Sequence, residues 1–489
     1  MVEEQNIYKG NKKILFMTTF AFFLSFVVWF NMAPFASTIQ KALQLSNEEI
    51  GVLLSINVAL TIPARIIIGM LVDRFGPKHV YAALLIFASI PCFWFAFADS
   101  FWQLFMARAL LSVVGAGFVI GIRMVSEWFP SKHLGLAEGI YGGWGNFGSS
   151  AAAFSLPLLA LLFGGENGWR MAIALTGVLC IVYSFIYFKS VENTPSQKEF
   201  KKPRRSGAME VTSYKSMAAL MLMSIPLYAA LALITWQLSN TSLISNQIAV
   251  AVYTALAAVY GYNLYKIWTV NRDHLRKGVP AKEQYSFKQV AILDFAYFIT
   301  FGSELAVISM LPMFFEATFS MGVAGAGMIA SSFAFMNLVA RPGGGWLSDK
   351  FGRKKTLIIL LAATSAAYLC MSQIGSNWPI AAAVLLTMTC SFFVQAGEGA
   401  VFSMVPLVKK RLTGQVAGMV GAYGSVGSVL FLAILGLLNP SLFFLGISIM
   451  AFCCFITCFF LNEPGKEHSK EKVPAAEEKT EKSGKEVAI

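Results

Sequence analysis

Two arginines stand where arginine is expensive. Arg65 lies inside the apolar run Ile50–Val72, and Arg341 lies in a second apolar setting, each eight residues before an aspartate, Asp73 and Asp349. In a helix rising 1.5 Å per residue, that spacing carries each guanidinium roughly 12 Å inward from its aspartate. An arginine at such depth in a bilayer costs about 2.5–3.5 kcal/mol on insertion scales, so it marks a functional position unless an ion pair or a snorkelling side chain accounts for it. Two guanidinium groups at equivalent positions facing one cavity repel each other. A bound anion relieves the repulsion and accepts paired hydrogen bonds from each planar fork. The chemistry indicated is recognition of a small anion.

Four more ionisable side chains fall within apolar stretches. Arg123 and Glu127 are four residues apart and can pair along one helix face. Glu304 and Glu398 have no partner nearby in the sequence, so each either balances an arginine or carries a coupled proton. The four histidines sit at loops, span ends or the tail, and the seven cysteines lie within apolar blocks without metal-ligand spacing. No nucleophile–base pair, metal constellation or phosphate-binding loop is present, so neither an enzyme nor an ATP-driven pump is expected, and no cofactor.

The elements that must position these residues are membrane helices. Of 489 residues, 56% are apolar and 13% charged, against about 25% charged in a soluble domain. The apolar residues come in blocks of about 20, enough to cross a hydrocarbon core. Ile14–Thr38, Ile50–Val72, Val80–Ala98 and Phe101–Met124 open the series. The first is too long for a cleavable signal. Six blocks precede residue 191, two more span Met217–Leu238 and Ile248–Trp268, and six run from Val290 to Leu461. The predicted fold is an all-α polytopic membrane protein of about fourteen spans. A six-helix bundle occupies 1–190, two inserted spans with basic linkers occupy 191–288, and a second bundle occupies 289–462. A charged tail, 463–489, is too polar to bury a core.

The net charge of +12 does not indicate nucleic acid, because the basic residues cluster in alternate loops: Lys12 and Lys13, Arg74 and Lys78, Lys132, Lys198–Arg205, Arg272–Lys282, Arg353–Lys355 and Lys409–Arg411. That asymmetry orients the chain with both termini in the cytoplasm. A cell inner membrane and a monomer are expected.

The halves repeat each other. Arg65, Gly69, Asp73, Arg74, Phe75 and Gly76 match Arg341, Gly345, Asp349, Lys350, Phe351 and Gly352 at one constant offset. Gly139, Gly142, Gly145 and Gly148, in the fifth helix of the first half, match Gly418, Gly421, Gly424 and Gly427 in the fifth helix of the second. Parallel repeats of this kind belong to rocking secondary transporters whose site lies at the interface of the halves.

The paired segments Gly69–Gly76 and Gly345–Gly352 resemble the loop motif of the major facilitator superfamily, in which these residues, with Asp73, Arg74, Asp349 and Lys350, serve as gate elements. The run Ala137–Gly148 is similar to the nitrate signature of the nitrate/nitrite porter (NarK-type) family, with a second copy at Gly418–Gly427 and the family's eighth-helix motif at Asn337–Gly345. The resemblance covers both halves and excludes the inserted pair. It implies a transporter of nitrate or nitrite in which Arg65 and Arg341 clamp the anion, Asn146 adds a polar contact, and the glycines of the two ladders let helices slide. Coupling would be proton symport or anion exchange. Ser425 stands where many members carry asparagine. The alternatives are a carrier of a small carboxylate such as formate or oxalate, and a non-transporting anion sensor.

Overall fold

A computed structural model describes residues 10–463, apart from 166, 197–198, 204, 206, 281–282, 322 and 436–437. The charged tail expected beyond Glu463 lies outside the described residues. No strand occurs among them. Thirteen helical stretches are long and apolar enough to cross a membrane. In the first half these are α1 (Lys12–Ala42), α2 (Glu48–Phe75), α3 (Pro77–Ala96), α4 (Phe101–Trp128), α5 (Ser131–Phe163) and α6 (Gly168–Ser190). The inserted pair is α7 (Tyr214–Asn240) and α8 (Asn246–Arg276). In the second half α9 (Phe287–Phe319) is followed by α10, whose two pieces, Val323–Phe335 and Asn337–Phe351, meet at Met336. This is the fourteenth span the repeat requires, and Arg341, Asp349 and Lys350 keep its second piece from being uniformly apolar. Then come α11 (Arg353–Met371), α12 (Ile380–Val408), α13 (Lys410–Leu435) and α14 (Pro440–Cys458).

Several spans are jointed where the sequence weakens the helix. α4 passes through a 3-10 turn at Ser112–Ala116, and there a Cβ on Gly115 would stand 2.8 Å from the Trp29 ring. Gly76 and Gly352 have φ of 88° and 99°, the left-handed region open to glycine, and each turns the chain between two spans.

Within the halves α1 packs on α5, α3 on α6, α9 on α13 and α11 on α14. Across the boundary α2 packs on α13, and α5 on α10. Backbones approach closely there: a Cβ on Gly69 would lie 2.3 Å from the Gly414 carbonyl oxygen, and one on Gly345 would lie 1.9 Å from that of Gly135. Small residues permit this approach in a membrane, where helix association rests on packing rather than on expulsion of water. Of the inserted pair, α7 rests on α13, tied by the Tyr423 hydroxyl donating to the Met223 carbonyl at 2.6 Å. α8 packs chiefly on α7 and is largely exposed.

Candidate functional site

Arg65 and Arg341 are both buried, at 1% and 2% exposure, and both lie where the halves meet. Arg65 reaches across from α2 to α13, where its Nη1 donates to the Gly421 carbonyl. Arg341 reaches from α10 to α5 and donates through Nη1 to the Gly142 carbonyl at 3.5 Å. Gly421 and Gly142 are equivalent rungs of the two glycine ladders, so each arginine rests on the ladder of the opposite half. The fit needs glycine: a Cβ on Gly142 would stand 3.3 Å from Arg341 Cδ, and one on Gly421 would stand 3.1 Å from Arg65 Cδ.

Between the arginines runs a stack of parallel rings. Phe118 and Tyr297 are 6.3 Å apart and 1° from coplanar; Tyr297 and Phe301 are 5.1 Å apart and 9° from coplanar. Arg341 lies over Phe118 at 5.5 Å and Arg65 over Phe301 at 5.0 Å. Phe402 sets its edge against Phe118 and Tyr297 at 4.6 and 4.8 Å. Guanidinium groups over aromatic faces gain cation–π attraction, more so when desolvated.

The sequence suggested two unpaired arginines, and the structure corrects this for one of them. Arg341 forms an ion pair with Glu398 and receives the Tyr297 hydroxyl as acceptor for its Nη2 at 2.8 Å. Arg65 has no carboxylate among its described contacts. The partner of Arg341 is 57 residues away in the chain, on a different helix, where sequence spacing carries no signal. Glu304 neighbours Glu398 and accepts from Asn337 Nδ2 at 2.5 Å and Gln395 Nε2 at 3.1 Å. Asn146 does not touch either arginine among the described contacts. It lines, with Glu304 and Asn337, a cavity of about 300 Å³ on the side away from the basic loops. It sits one helical turn beyond Gly142, on the same side of α5.

The ladders do not keep to one face. Gly142 and Gly421 meet the arginines, but Gly145 and Gly148 press on α1, where a Cβ would strike Phe22 at 1.9 Å and the Phe23 carbonyl at 2.2 Å. Gly424 and Gly427 press on α9 at Tyr297 and Phe298. Steps of three residues fall about 60° short of a full turn, so the row winds from one neighbour to the next.

On the basic face each half latches the other. Asp73 accepts from the Gly414 and Gln415 amides, both at 2.9 Å, at the start of the α13 helix. Asp349 accepts from the Gly135 and Leu136 amides at 3.1 and 2.9 Å at the start of the α5 helix. Each carboxylate thus satisfies two free amides and meets the positive end of a helix. The cations joining these latches are Arg123 and Arg353. Arg123 lies 3.6 Å from Asp73 and 3.1 Å from Glu127, and its Nη1 donates to the Lys410 carbonyl. Arg353 lies 2.7 Å from Asp349 and donates through Nε to the Ser403 carbonyl at 3.0 Å. Lys350, expected in the gate, is exposed over Trp346 and Phe351, and Arg74, expected there too, is exposed with its guanidinium over Phe75. They follow their aspartates by one residue, which places them about 100° around the helix from the interface. Arg353 was legible as the cation four residues after Asp349, yet the repeat drew attention to Lys350.

Comparison with known proteins bears directly on this architecture. The family model described as Major Facilitator Superfamily matches residues 18–270 and 293–486. The chain belongs to the major facilitator superfamily. It is 48% identical to the nitrate/nitrite transporter NrtP of Picosynechococcus, over 95% of both chains, and 48% identical to the NrtP of Nostoc punctiforme, again over 95% of both. It is 25% identical to the nitrite extrusion protein of Bacillus subtilis, covering 82% of this chain and 81% of that protein. These similarities place it in the nitrate/nitrite porter branch. Among solved structures, the human organic anion transporter MFSD10 superposes with a TM-score of 0.61 at 12% identity, covering 91% of this chain and 99% of that one. The proton:xylose symporter XylE gives 0.61 at 14% identity, covering 94% and 97%. At those identities the likeness speaks for the fold alone.

Proposed function

We propose that this protein carries nitrate or nitrite across a membrane as a secondary transporter by alternating access, the anion binding between Arg65 and Arg341. The observation that carries the reading is that two buried arginines, from equivalent helices of the two halves, converge on one aromatic stack at the seam. Nitrate and nitrite are small and flat. A planar anion between planar guanidinium groups accepts hydrogen bonds edge-on while aromatic faces cover it, a geometry that favours such anions over bulkier tetrahedral ones. The relatives named as nitrate/nitrite transporters support the choice of cargo.

Entry is from the 300 Å³ cavity, whose wall includes Asn146 and Glu304. The anion passes Asn146 and draws Arg341 away from Glu398 and Arg65 away from the Gly421 carbonyl. The site holds two guanidinium groups and, with Glu304 and Glu398, two carboxyl groups. A proton arriving with the anion keeps the charge of that dry region from changing, and so does exchange of one monovalent anion for another, so the site suits either coupling. The positive-inside distribution supports a cytoplasmic basic face and cytoplasmic termini.

The test is flux in liposomes containing the purified protein. Nitrate and nitrite uptake should be saturable and should collapse in both Arg65→Lys and Arg341→Lys, because an ammonium cannot reproduce the fork. Loss of neither anion's flux in these variants refutes the site. Flux of formate or oxalate, without nitrate or nitrite, refutes the cargo.

A further inference from the structure

The inserted pair and the first linker form a continuous structure that ends on the gate. The described residues of 199–213 (199–203, 205 and 207–213) lie on the basic face as a strap. At one end the strap grips Arg123: the Phe200 ring lies 4.8 Å under its guanidinium, and the Lys201 carbonyl accepts from its Nη2 at 2.8 Å. Arg123 is the same side chain that reaches Asp73 and the Lys410 carbonyl, and so joins the halves. In the middle, Glu210 forms an ion pair at 2.6 Å with Arg411, in the 3-10 turn that opens α13 in the second half. At the other end the strap is fastened to the base of α8. Asn271 accepts from the Val211 amide at 2.8 Å and donates to the Met209 carbonyl at 3.0 Å, while Arg205 donates to the Val270 carbonyl at 2.9 Å. The second linker closes over it. The Tyr285 hydroxyl donates to the Glu210 carbonyl at 2.5 Å, and the Tyr285 carbonyl accepts from Thr212 at 2.8 Å. Burial pushes the Tyr285 phenol up in pKa, which keeps it a donor. Ala208, Met209 and Val211 are buried, so the strap has a small core of its own.

We infer that this strap is a built-in brake on opening of the basic face, and that α7 and α8 exist in part to anchor it. To open that face, the start of α13 must move away from the end of α4. The strap is bonded to both, through Arg411 and Arg123. α7 is tied to α13, and α8 hangs on α7, so the anchor sits beside the moving part without filling the anion path. The Glu210–Arg411 pair is largely shielded, with side chains 6% and 15% exposed, and separating a shielded pair is costly when one partner loses its counter-charge. Opening must break either this pair or the strap's grip on Arg123.

The inference concerns the conformational balance and holds whichever anion is carried. Its test therefore reads distance without substrate. Spin labels at Lys132 and Lys355, both exposed on the basic face in opposite halves, are measured by double electron–electron resonance in the full-length protein. The exposed Cys370 and Cys453 are replaced by serine in this background. In the parent the short distance dominates. Glu210→Gln and, separately, Phe200→Ala should raise the ratio of long to short distances on the order of tenfold. The charge swap of Glu210→Arg with Arg411→Glu should restore the parent ratio, a rescue that a variant damaged in folding does not give. Unchanged distances in both single variants, or a shift in the singles that the swap fails to reverse, overturn the brake. Nitrate flux measured on the same samples separates this result from the transport reading: a distance shift without flux leaves the brake standing and removes the cargo.

Discussion

Adding one methyl group to a ladder glycine at the seam tests how the basic face is held shut. In Gly139→Ala, the new Cβ would lie 2.5 Å from the Arg341 carbonyl oxygen and 2.7 Å from Pro342 Cα. Both are backbone atoms and cannot swing aside, so α5 and α10 must separate by close to an ångström for ordinary contact. The equivalent substitution, Gly418→Ala, puts Cβ 2.4 Å from the Arg65 carbonyl oxygen and forces α13 from α2 in the same way. Overpacking of this kind costs about 1–3 kcal/mol. The whole cost falls on the closed state, because helices that part on opening no longer meet the methyl. That corresponds to roughly a 5- to 150-fold rise in the open-to-closed ratio of the basic face, since 1.4 kcal/mol is a factor of ten. Maleimide labelling of a single cysteine placed on α5 near Gly139, in a background lacking the native cysteines, reports the opening as a rate. Labelling should accelerate in both alanine variants, and transport should fall because the return to the closed state is impeded. Equal labelling rates in variant and parent would show that α5 and α10 absorb the methyl without parting, and the proposed closure by backbone contact would be wrong.

Four further outcomes follow from the same geometry. Glu398→Gln leaves Arg341 without its carboxylate, so anion affinity should rise while acceleration of uptake by an inward proton gradient disappears; an undiminished gradient response removes Glu398 from coupling. Asn146→Ala should raise KM for nitrate several-fold with little change in Tm, because Asn146 lines the entry cavity and its side chain makes no hydrogen bond among the described residues. Asp349→Asn weakens a latch that caps two amides; such caps are worth about 0.5–2 kcal/mol, and basic-face labelling should rise accordingly, with Asp73→Asn giving a comparable rise. Tyr297→Phe removes the hydroxyl that meets Arg341 but keeps the ring stack, so KM should rise more than kcat falls; a pure kcat loss would put the hydroxyl in the conformational step instead.

Much of the fold was legible because membrane helices write themselves as uninterrupted apolar blocks and orient themselves by basic loops. The duplicated Arg65 and Arg341 announced themselves by cost, and the duplicated aspartates by register. What the sequence did not reveal depends on which helices become neighbours. Tyr297, Phe118 and Phe301 are three among 15 tyrosines and 42 phenylalanines, and nothing local distinguishes rings that stack at the seam from rings that face lipid. Glu398 was visible as a buried carboxylate, but its choice of Arg341 is a long-range contact. The winding of the glycine rows was computable from the helix repeat, yet which neighbour each rung meets was not. The linker reads in sequence as a basic stretch with a few scattered apolar residues; its attachment to Arg123 and Arg411 comes from tertiary packing alone.

The crossed latches have a consequence for how such a chain can arise. Asp73 caps the start of α13 at Gly414, and Asp349 caps the start of α5 at Gly135. The carboxylate and the amides it needs are therefore both present in each half, but on opposite sides of the seam. A contact in which one unit's position meets a second position on its partner, and the reverse holds as well, is the signature of an isologous interface. Two identical six-helix units facing each other about a two-fold axis would satisfy both latches at once, and neither unit alone could satisfy its own. The seam thus has the self-complementary geometry of a symmetric dimer's contact surface, held within one polypeptide.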